Sequence, residues 1–136
     1  IVLSFITMDS LYATVNAVLI EQAIINLLTN AIKYSAEKST VTISLSHTDT
    51  DCNITVKDRG PGIDPKHIPH LFERFYRVDK ARSRDLGGTG LGLAIVKHIS
   101  QVHNGNVTVT SKENKGSEFC ISIPRETKQP SENLHV

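Results

Sequence analysis

The sequence is poor in several residue types, and each shortage argues against a class of protein. Of its 136 residues two are cysteines, none is tryptophan and 5% are aromatic, while 15 Lys and Arg balance 14 Asp and Glu. Cys52 and Cys120 form no CxxC pair, which argues against a disulfide framework and against zinc, and predicts two half-buried thiols in a reducing compartment. The balanced charge argues against nucleic-acid binding, and no apolar run approaches the roughly 20 residues that span a bilayer. We therefore expect one soluble, cytoplasmic domain without nucleic-acid or direct membrane contact.

Helix and strand periodicities alternate along the chain. Apolar residues recur at three- and four-residue steps in two stretches, which predicts amphipathic helices over 19–32 and 91–103. Alternation of apolar and polar residues predicts strands over 41–45 and 54–57, and three further strands are predicted over 1–6, 107–109 and 119–123. Asp64 and Pro65 predict the N-cap and first residue of a short helix that runs to Phe72. The order β-α-β-β-α-loop-α-β-β predicts an α+β fold, a two-layer α/β sandwich with helices on one face of a mixed, mainly antiparallel sheet.

The predicted elements occupy residues 1–124, which we expect to form one domain followed by a polar, disordered tail at 125–136. Residues 1–6 open in mid-strand with no polar lead-in. Natural chains seldom begin in this way, so we expect the sequence to be a piece of a longer protein.

The polar face of the first predicted helix is unusual. Gln22, Asn26, Asn30 and Lys33 follow one another at steps of four, four and three residues, so they share one stripe. A solvated face is the ordinary interpretation, but asparagine is a mediocre helix former that such positions seldom carry. Amide oxygens suit a hard cation and an ammonium group suits a phosphate, so the stripe is also compatible with a metal and phosphate site.

Two glycine-rich segments adjoin predicted regular elements. Residues 58–63, Asp-Arg-Gly-Pro-Gly-Ile, predict either a simple turn or a place where a flat ligand approaches the backbone and the carboxylate accepts from an amine. Residues 87–93, Gly-Gly-Thr-Gly-Leu-Gly-Leu, run into the second long helix, whose first N–H groups favour an anion, with a flexible hinge as the alternative. Between them, residues 73–85 are charged and too long for an ordinary connection, and one or two of their arginines could reach a phosphate chain.

The order of these segments is more specific than any one of them. Asn-x3-Asn-x2-Lys-Tyr, Asp-x-Gly-x-Gly-Ile, Leu-Phe-Glu-Arg-Phe-Tyr-Arg and Gly-Thr-Gly-Leu-Gly-Leu follow one another along the chain. Over about residues 15–124 this series resembles the N, G1, F and G2 boxes of sensor histidine kinases, and the string from Phe75 to Arg84 looks most like the phosphate-responsive ones. The resemblance implies the Bergerat ATP-binding fold shared with DNA gyrase B and the heat-shock ATPases, with ATP and Mg²⁺ as ligands.

The resemblance also implies roles for individual residues. Asn30 would hold the Mg²⁺ that bridges the ATP phosphates, with Asn26 beside it. The residues implied at the phosphates and the lid hinge are Lys33, Arg77, Gly88, Thr89, Gly90, Leu91 and Gly92. Those implied around the base are Tyr34, Asp58, Gly60, Gly62, Ile63 and Phe72. Asp58 would accept from the adenine amino group, Phe72 and Phe75 would anchor the lid, and Ser117, in a weaker last box, is assigned no nucleotide contact.

The phosphoryl acceptor is the missing part. None of the six histidines is followed by Glu-Leu, as the acceptor in this family usually is, and we expect His98 and His103 to be packed or solvent-facing. The resemblance thus implies an acceptor histidine in a separate dimerisation domain, a response regulator served by that domain and a whole protein attached to the inner membrane. The chain alone is not expected to autophosphorylate. The family's ATPases carry a general-base glutamate where this chain has Asn26, so slow hydrolysis is expected.

Two other functions remain open. A serine kinase of the anti-sigma type shares the nucleotide site and needs no acceptor hairpin, although the string from Phe75 and the mid-strand start argue against it. A module that binds nucleotide or docks a partner without catalysis is the other. In each case the glycines between 87 and 92 and the lack of apolar anchors over 79–86 predict a lid that is mobile without nucleotide.

Overall fold

The computed structural model describes residues 1–6, 11–78 and 90–126. Five strands, two α-helices and one short 3-10 helix make up this part of the chain. Their bounds are β1 Val2–Ile6, α1 Ala17–Tyr34, β2 Thr40–His47, β3 Asp51–Lys57, the 3-10 helix Pro65–His70, α2 Gly92–Val102, β4 Asn106–Lys112 and β5 Gly116–Pro124. Each predicted element is present within a few residues of its predicted bounds.

The strands form one sheet in the order β1-β2-β3-β5-β4. β1 runs parallel to β2, because α1 carries the chain back along the sheet between them, and every other neighbouring pair is antiparallel. β2 and β3 are joined by a tight turn in which Thr48 N donates to Asp51 O at 2.9 Å. The predicted antiparallel pairing of these two strands is therefore confirmed.

The core lies between the sheet and the two α-helices. Alternate residues of β3 and β5 turn towards the helices and are buried, while Ser44, Thr55, Cys120 and Thr108 form a polar row across the opposite face. The buried apolar residues are Ala23, Leu27, Ala31, Val41, Ile54, Val56, Leu71, Val96, Ile99, Val107, Phe119, Ile121 and Ile123. The helices cover one face only, which confirms the predicted two-layer α+β architecture.

Hydrogen bonds fix the residue at which α1 begins and the residue at which α2 ends. The side chain of Asn16 accepts from Leu19 N at 3.1 Å, so α1 begins two residues before the predicted start. α2 stops at the predicted Asn-Gly exit, where Asn104 has φ 59° and Gly105 N donates to Ser100 O at 2.8 Å. The two α-helical stretches predicted from periodicity are therefore confirmed.

His103 joins these two helix ends. Its Nε2 accepts from Asn16 N at 2.9 Å, which leaves the ring proton on Nδ1, 2.7 Å from Ile99 O. His98 is exposed. Neither imidazole departs from the expected packed or solvent-facing environments.

The short helix differs from its prediction. Asp64 caps it as expected, accepting from Lys66 N at 3.0 Å, but the helix is of the 3-10 type and ends at His70 rather than Phe72. Pro69 lies inside it and has no N–H to donate, so an α-helix would lose a hydrogen bond there.

The two thiols lie on opposite faces of the sheet and both are free. Cys52 faces the helices, and only 8% of it is exposed, so it is buried rather than half-buried as predicted. Its Sγ–H donates to Tyr12 O at 3.7 Å, and burial raises the pKa of the thiol. Cys120, on the open face, is half-buried.

The first two residues of the predicted tail are tied to the domain. Arg125 N donates to Thr50 O at 2.8 Å and Glu126 N donates to Tyr12 O at 2.7 Å. The rest of that tail, 127–136, lies outside the described residues. Within the described ranges, no helix combines the length and the apolar composition needed to cross a membrane.

Candidate active site

A buried carboxylate stands at the end of β3. Asp58 is 5% exposed, and its Oδ1 accepts from Gly60 N at 2.9 Å and from Ser117 N at 3.3 Å. Burial raises the pKa of Asp58, and the two backbone hydrogen bonds oppose that rise without cancelling it. Among the described residues no donor reaches Oδ2, so this oxygen remains available to accept from the amine of a ligand.

The loop after Asp58 approaches two other backbone segments closely. A Cβ on Gly60 would lie 2.3 Å from the carbonyl oxygen of Tyr34, at the end of α1. Gly62 has φ +78°, and a Cβ there would lie 2.3 Å from the carbonyl oxygen of Lys112, at the end of β4. The two glycines therefore let the loop fit between α1 and the β4–β5 hairpin, a protein contact that the sequence did not predict.

The polar stripe of α1 reaches the start of α2 at Asn26. Gln22 is exposed, whereas Asn26, Asn30 and Lys33 are half-buried. Asn26 Nδ2 donates to Gly92 O, the first residue of α2, at 3.4 Å. A solvated face accounts for Gln22 but not for the other three residues, so the predicted stripe adjoins the start of the second helix.

The start of α2 is joined to the segment that follows the 3-10 helix. Phe75 N donates to Gly90 O at 2.7 Å, and a Cβ on Gly90, which has φ +75°, would lie 2.7 Å from Phe75 Cα. Phe75 itself has φ 66° and is 69% exposed, an uncommon combination for a bulky residue that the Gly90 contact holds in place. Leu91 is the N-cap of α2 and makes no side-chain cap bond. In any α-helix the first N–H groups point towards the N-terminus, which for α2 lies at this end of the site.

The predicted lid anchors differ in their surroundings. Phe72 packs edge-on against Phe119, with ring centroids 6.2 Å apart, and so joins the core, whereas Phe75 is exposed. Arg77 is half-buried. The remaining predicted lid residues, including Gly88 and Thr89, lie outside the described residues.

Two serines complete the surroundings of Asp58, and the sequence alone did not identify their part. Ser117 is 7% exposed and its carbonyl oxygen accepts from Asp58 N at 2.9 Å. Ser111 Oγ accepts from Ile63 N at 2.8 Å and lies 3.1 Å from Ser117 Oγ. The available signal is that the helix-facing positions of β4 and β5, apolar along most of each strand, become serine at this end.

The predicted segments thus form one connected site. Asn26 meets Gly92, the carbonyl of Tyr34 meets Gly60, Asp58 meets Ser117 and Phe75 meets Gly90. Residues 15–127 match the family model described as "Histidine kinase-, DNA gyrase B-, and HSP90-like ATPase". The chain belongs to this ATPase family.

Sensor kinases are among the relatives of this ATPase-family domain. It is 51% identical to the "Sensor-like histidine kinase SenX3" of Mycolicibacterium smegmatis over 78% of the chain and 28% of that protein. It is 42% identical to the "Phosphate regulon sensor protein PhoR" of Haemophilus influenzae over 90% of the chain and 29% of that protein. Among solved structures, the "Mycobacterial sensor histidine kinase MprB" has a TM-score of 0.80 at 31% identity, covering 91% of this chain and 84% of that one.

These matches confirm the predicted resemblance and its fold. The ATPase-family domain corresponds to the ATP-binding catalytic domain of sensor histidine kinases. It spans less than a third of the length of the two curated sensor kinases.

Proposed function

We propose that this domain binds Mg-ATP and donates the γ-phosphoryl group to a histidine on a separate dimerisation domain. The observation that carries the proposal is the buried Asp58 carboxylate, with Oδ1 fixed by two backbone N–H groups and no donor to Oδ2 in the part of the chain that the structure describes. An acceptor buried in this way suits the exocyclic amine of adenine, because burial strengthens a hydrogen bond to a charged group. In this proposal Tyr34, Gly60 and Ile63 lie along the base.

The phosphates would lie between α1 and α2. Asn26, held by Gly92 O, joins the two helices, and Asn30 and Lys33 continue its stripe one and two turns further on. Lys33 would neutralise phosphate charge, together with Arg77. The first N–H groups of α2 would donate to phosphate oxygens, since a helix N-terminus favours an anion.

The donors of this site fit magnesium that arrives with the nucleotide. The described part of the chain holds no group of three or more His, Cys, Asp and Glu able to bind a metal by itself. The Asn30 amide oxygen is the kind of hard ligand that Mg²⁺ takes alongside water and phosphate oxygens, and its half-buried position limits its movement. Bound there, the ion would neutralise charge on the phosphates.

Phosphoryl transfer needs little more from the protein than position and charge. An imidazole nitrogen of the acceptor forms a bond to the γ-phosphorus while the bond from that phosphorus to the β–γ bridging oxygen breaks, and ADP leaves. Lys33 and the N-terminus of α2 would favour the negative charge that develops on the departing ADP. Asn26 stands where a water-activating base would be needed for hydrolysis, and its neutral amide cannot take the proton.

The whole protein would extend beyond this domain. We propose that the acceptor domain passes the phosphoryl group to a response regulator. We also propose that the parent protein is attached to the inner membrane with this domain on the cytoplasmic side, where ATP is available. The printed names of SenX3, a sensor-like histidine kinase, and PhoR, a phosphate regulon sensor protein, support a signalling role for the parent protein.

Nucleotide titration tests the metal and phosphate end of the site. Asn30→Ala should weaken Mg-ATP binding about tenfold or more and abolish the difference between titrations with and without Mg²⁺. Gln22→Ala is the matched control, because Gln22 shares the stripe but is exposed. Equal Mg²⁺ dependence in Asn30→Ala and in the unaltered chain would remove Asn30 from the site.

A further inference from the structure

Ser111 is a junction between three parts of the nucleotide site. It lies on β4 opposite Ser117 of β5, and both face the helix layer. Ser111 Oγ accepts from Ile63 N at 2.8 Å, donates to Gly116 O at 3.2 Å and lies 3.1 Å from Ser117 Oγ. The first contact joins Ser111 to the loop after Asp58. The other two join it to the start of β5, whose Ser117 N donates to Asp58.

Only one arrangement of hydroxyl protons satisfies all three contacts. A serine hydroxyl donates once and can accept twice. A backbone N–H only donates and a carbonyl oxygen only accepts, so Ser111 accepts from Ile63 and its own proton goes to Gly116 O. The contact between the two serines then needs the proton of Ser117, which must point at Ser111. With its proton used in this way, the Ser117 hydroxyl has only lone pairs left.

The direction of the Ser117 hydroxyl proton affects the proposed site of the nucleotide base, because Ser117 lies next to Asp58. Its backbone N–H donates to Asp58 Oδ1, so the two residues are in direct contact. We propose that Ser111 is a positioning residue that holds the proton of Ser117, so that the Ser117 hydroxyl can only accept hydrogen bonds at this end of the site. Such an end favours a purine with an amine at position 6 and disfavours one with an oxygen there. The inference rests on the proposed function, because it places the base beside Asp58.

ATP and inosine triphosphate provide the matched pair of ligands. They share ribose and triphosphate, but ITP carries an oxygen at position 6 and a proton on N1 where ATP carries an amine and a lone pair. We expect the unaltered chain to bind Mg-ATP more tightly than Mg-ITP. Ser111→Ala should reduce the ratio of the Kd for Mg-ITP to the Kd for Mg-ATP about fivefold to tenfold, which is the effect of one hydrogen bond. The reason is that the Ser117 proton becomes free to turn towards Asp58 or a ligand oxygen. Ser111→Thr, which keeps the hydroxyl, should restore the ratio.

A double-mutant cycle separates this role from simple loosening of the loop. If Ser111 acts through the Ser117 proton, Ser111→Ala should leave the ratio unchanged in a Ser117→Ala background. Loosening alone would weaken ATP and ITP equally. Thr110→Ala is the control on the same strand, since Thr110 is exposed on the opposite face. If Ser111→Ala does not fold, Ser111→Cys replaces it, because a thiol is of similar size and a weak hydrogen-bonding group.

The outcomes distinguish this inference from the proposed function. If Ser111→Ala or Ser111→Cys keeps the wild-type ratio while Asp58→Asn loses ATP selectivity, the role of Ser111 is overturned. The proposed nucleotide site is then retained. A chain that binds neither triphosphate, or whose selectivity Asp58→Asn leaves unchanged, overturns both. A reduced ratio that Ser111→Thr restores and that disappears in the Ser117→Ala background supports the role.

Discussion

Asp58→Asn should separate nucleotide affinity from stability. The amide keeps an oxygen for the N–H groups of Gly60 and Ser117, now 2.9 and 3.3 Å from Oδ1, but it places an NH₂ group where Oδ2 accepts. Losing one hydrogen bond to a charged acceptor costs about 1.5–3 kcal/mol, which corresponds to a rise of about 10- to 150-fold in the Kd for ATP. Stability should not fall, since the change removes a carboxylate whose ionised form burial disfavours.

Calorimetric titration and thermal unfolding measure the two effects on the same preparation. Titration of Mg-ATP into the unaltered chain and into Asp58→Asn gives the ratio of Kd values, and the Tm shows whether the fold is retained. A Kd within twofold of wild type in a folded variant would refute the proposed contact with the base. A weaker Kd accompanied by a fall of many degrees in Tm would instead make Asp58 a structural residue.

The remaining predictions concern pH, a close backbone approach, hydrolysis and the lid. The pKa of Asp58 in the folded chain is raised above the ordinary 3.8, so between 3.8 and the raised pKa a fall in pH should stabilise the wild-type fold relative to Asp58→Asn. The same fall in pH should weaken ATP binding by the wild type relative to the variant. Tm and Kd that change with pH equally in the wild type and in Asp58→Asn would contradict this. Gly60→Ala should destabilise the fold by about 1–3 kcal/mol in denaturant unfolding, because its Cβ would meet Tyr34 O at 2.3 Å, whereas Gly92→Ala, whose Cβ meets nothing within 4 Å, should not. Phosphate release from Mg-ATP should be slow because Asn26 is neutral, and brisk release that Asn30→Ala abolishes would count against that explanation. Hydrogen exchange over residues 78–88 should slow when ATP and Mg²⁺ are added, and an unchanged rate would argue against lid closure.

The sequence predicted the elements, and its resemblance to a known family implied that the motifs surround one nucleotide site. Periodicity identifies α1 and the antiparallel strands because burial alternates with the same period as the side chains, as at Ile54 and Val56. The order of the motifs predicted which segments would meet, and the contacts of Asn26 with Gly92 and of Phe75 with Gly90 are in agreement with it. The lid, residues 79–89, stays a prediction because it lies outside the described residues.

The backbone contacts of the two loop glycines and the hydrogen bonds of Ser111 could not be predicted from the sequence. Glycine at 60 and 62 reads as a turn or as room for a ligand, and only the fold brings the carbonyls of Tyr34 and Lys112 against them. Ser111 occurs in a strand with no motif of its own, and its bond to Ile63 depends on how the β4–β5 hairpin packs against the loop after β3.

Transfer of labelled phosphate tests the central claim most directly. The chain, Mg²⁺ and ATP labelled at the γ-phosphate are mixed with a dimerising helical hairpin that carries the His-Glu-Leu acceptor motif. We expect acid-labile label on the hairpin, as phosphohistidine gives, with the chain itself unlabelled and the signal lost in Asn30→Ala. Tight ATP binding without transfer would favour a nucleotide-binding module instead, and acid-stable label on serine of an added partner would favour a serine kinase. Either of those results would contradict the assignment as a histidine kinase catalytic domain.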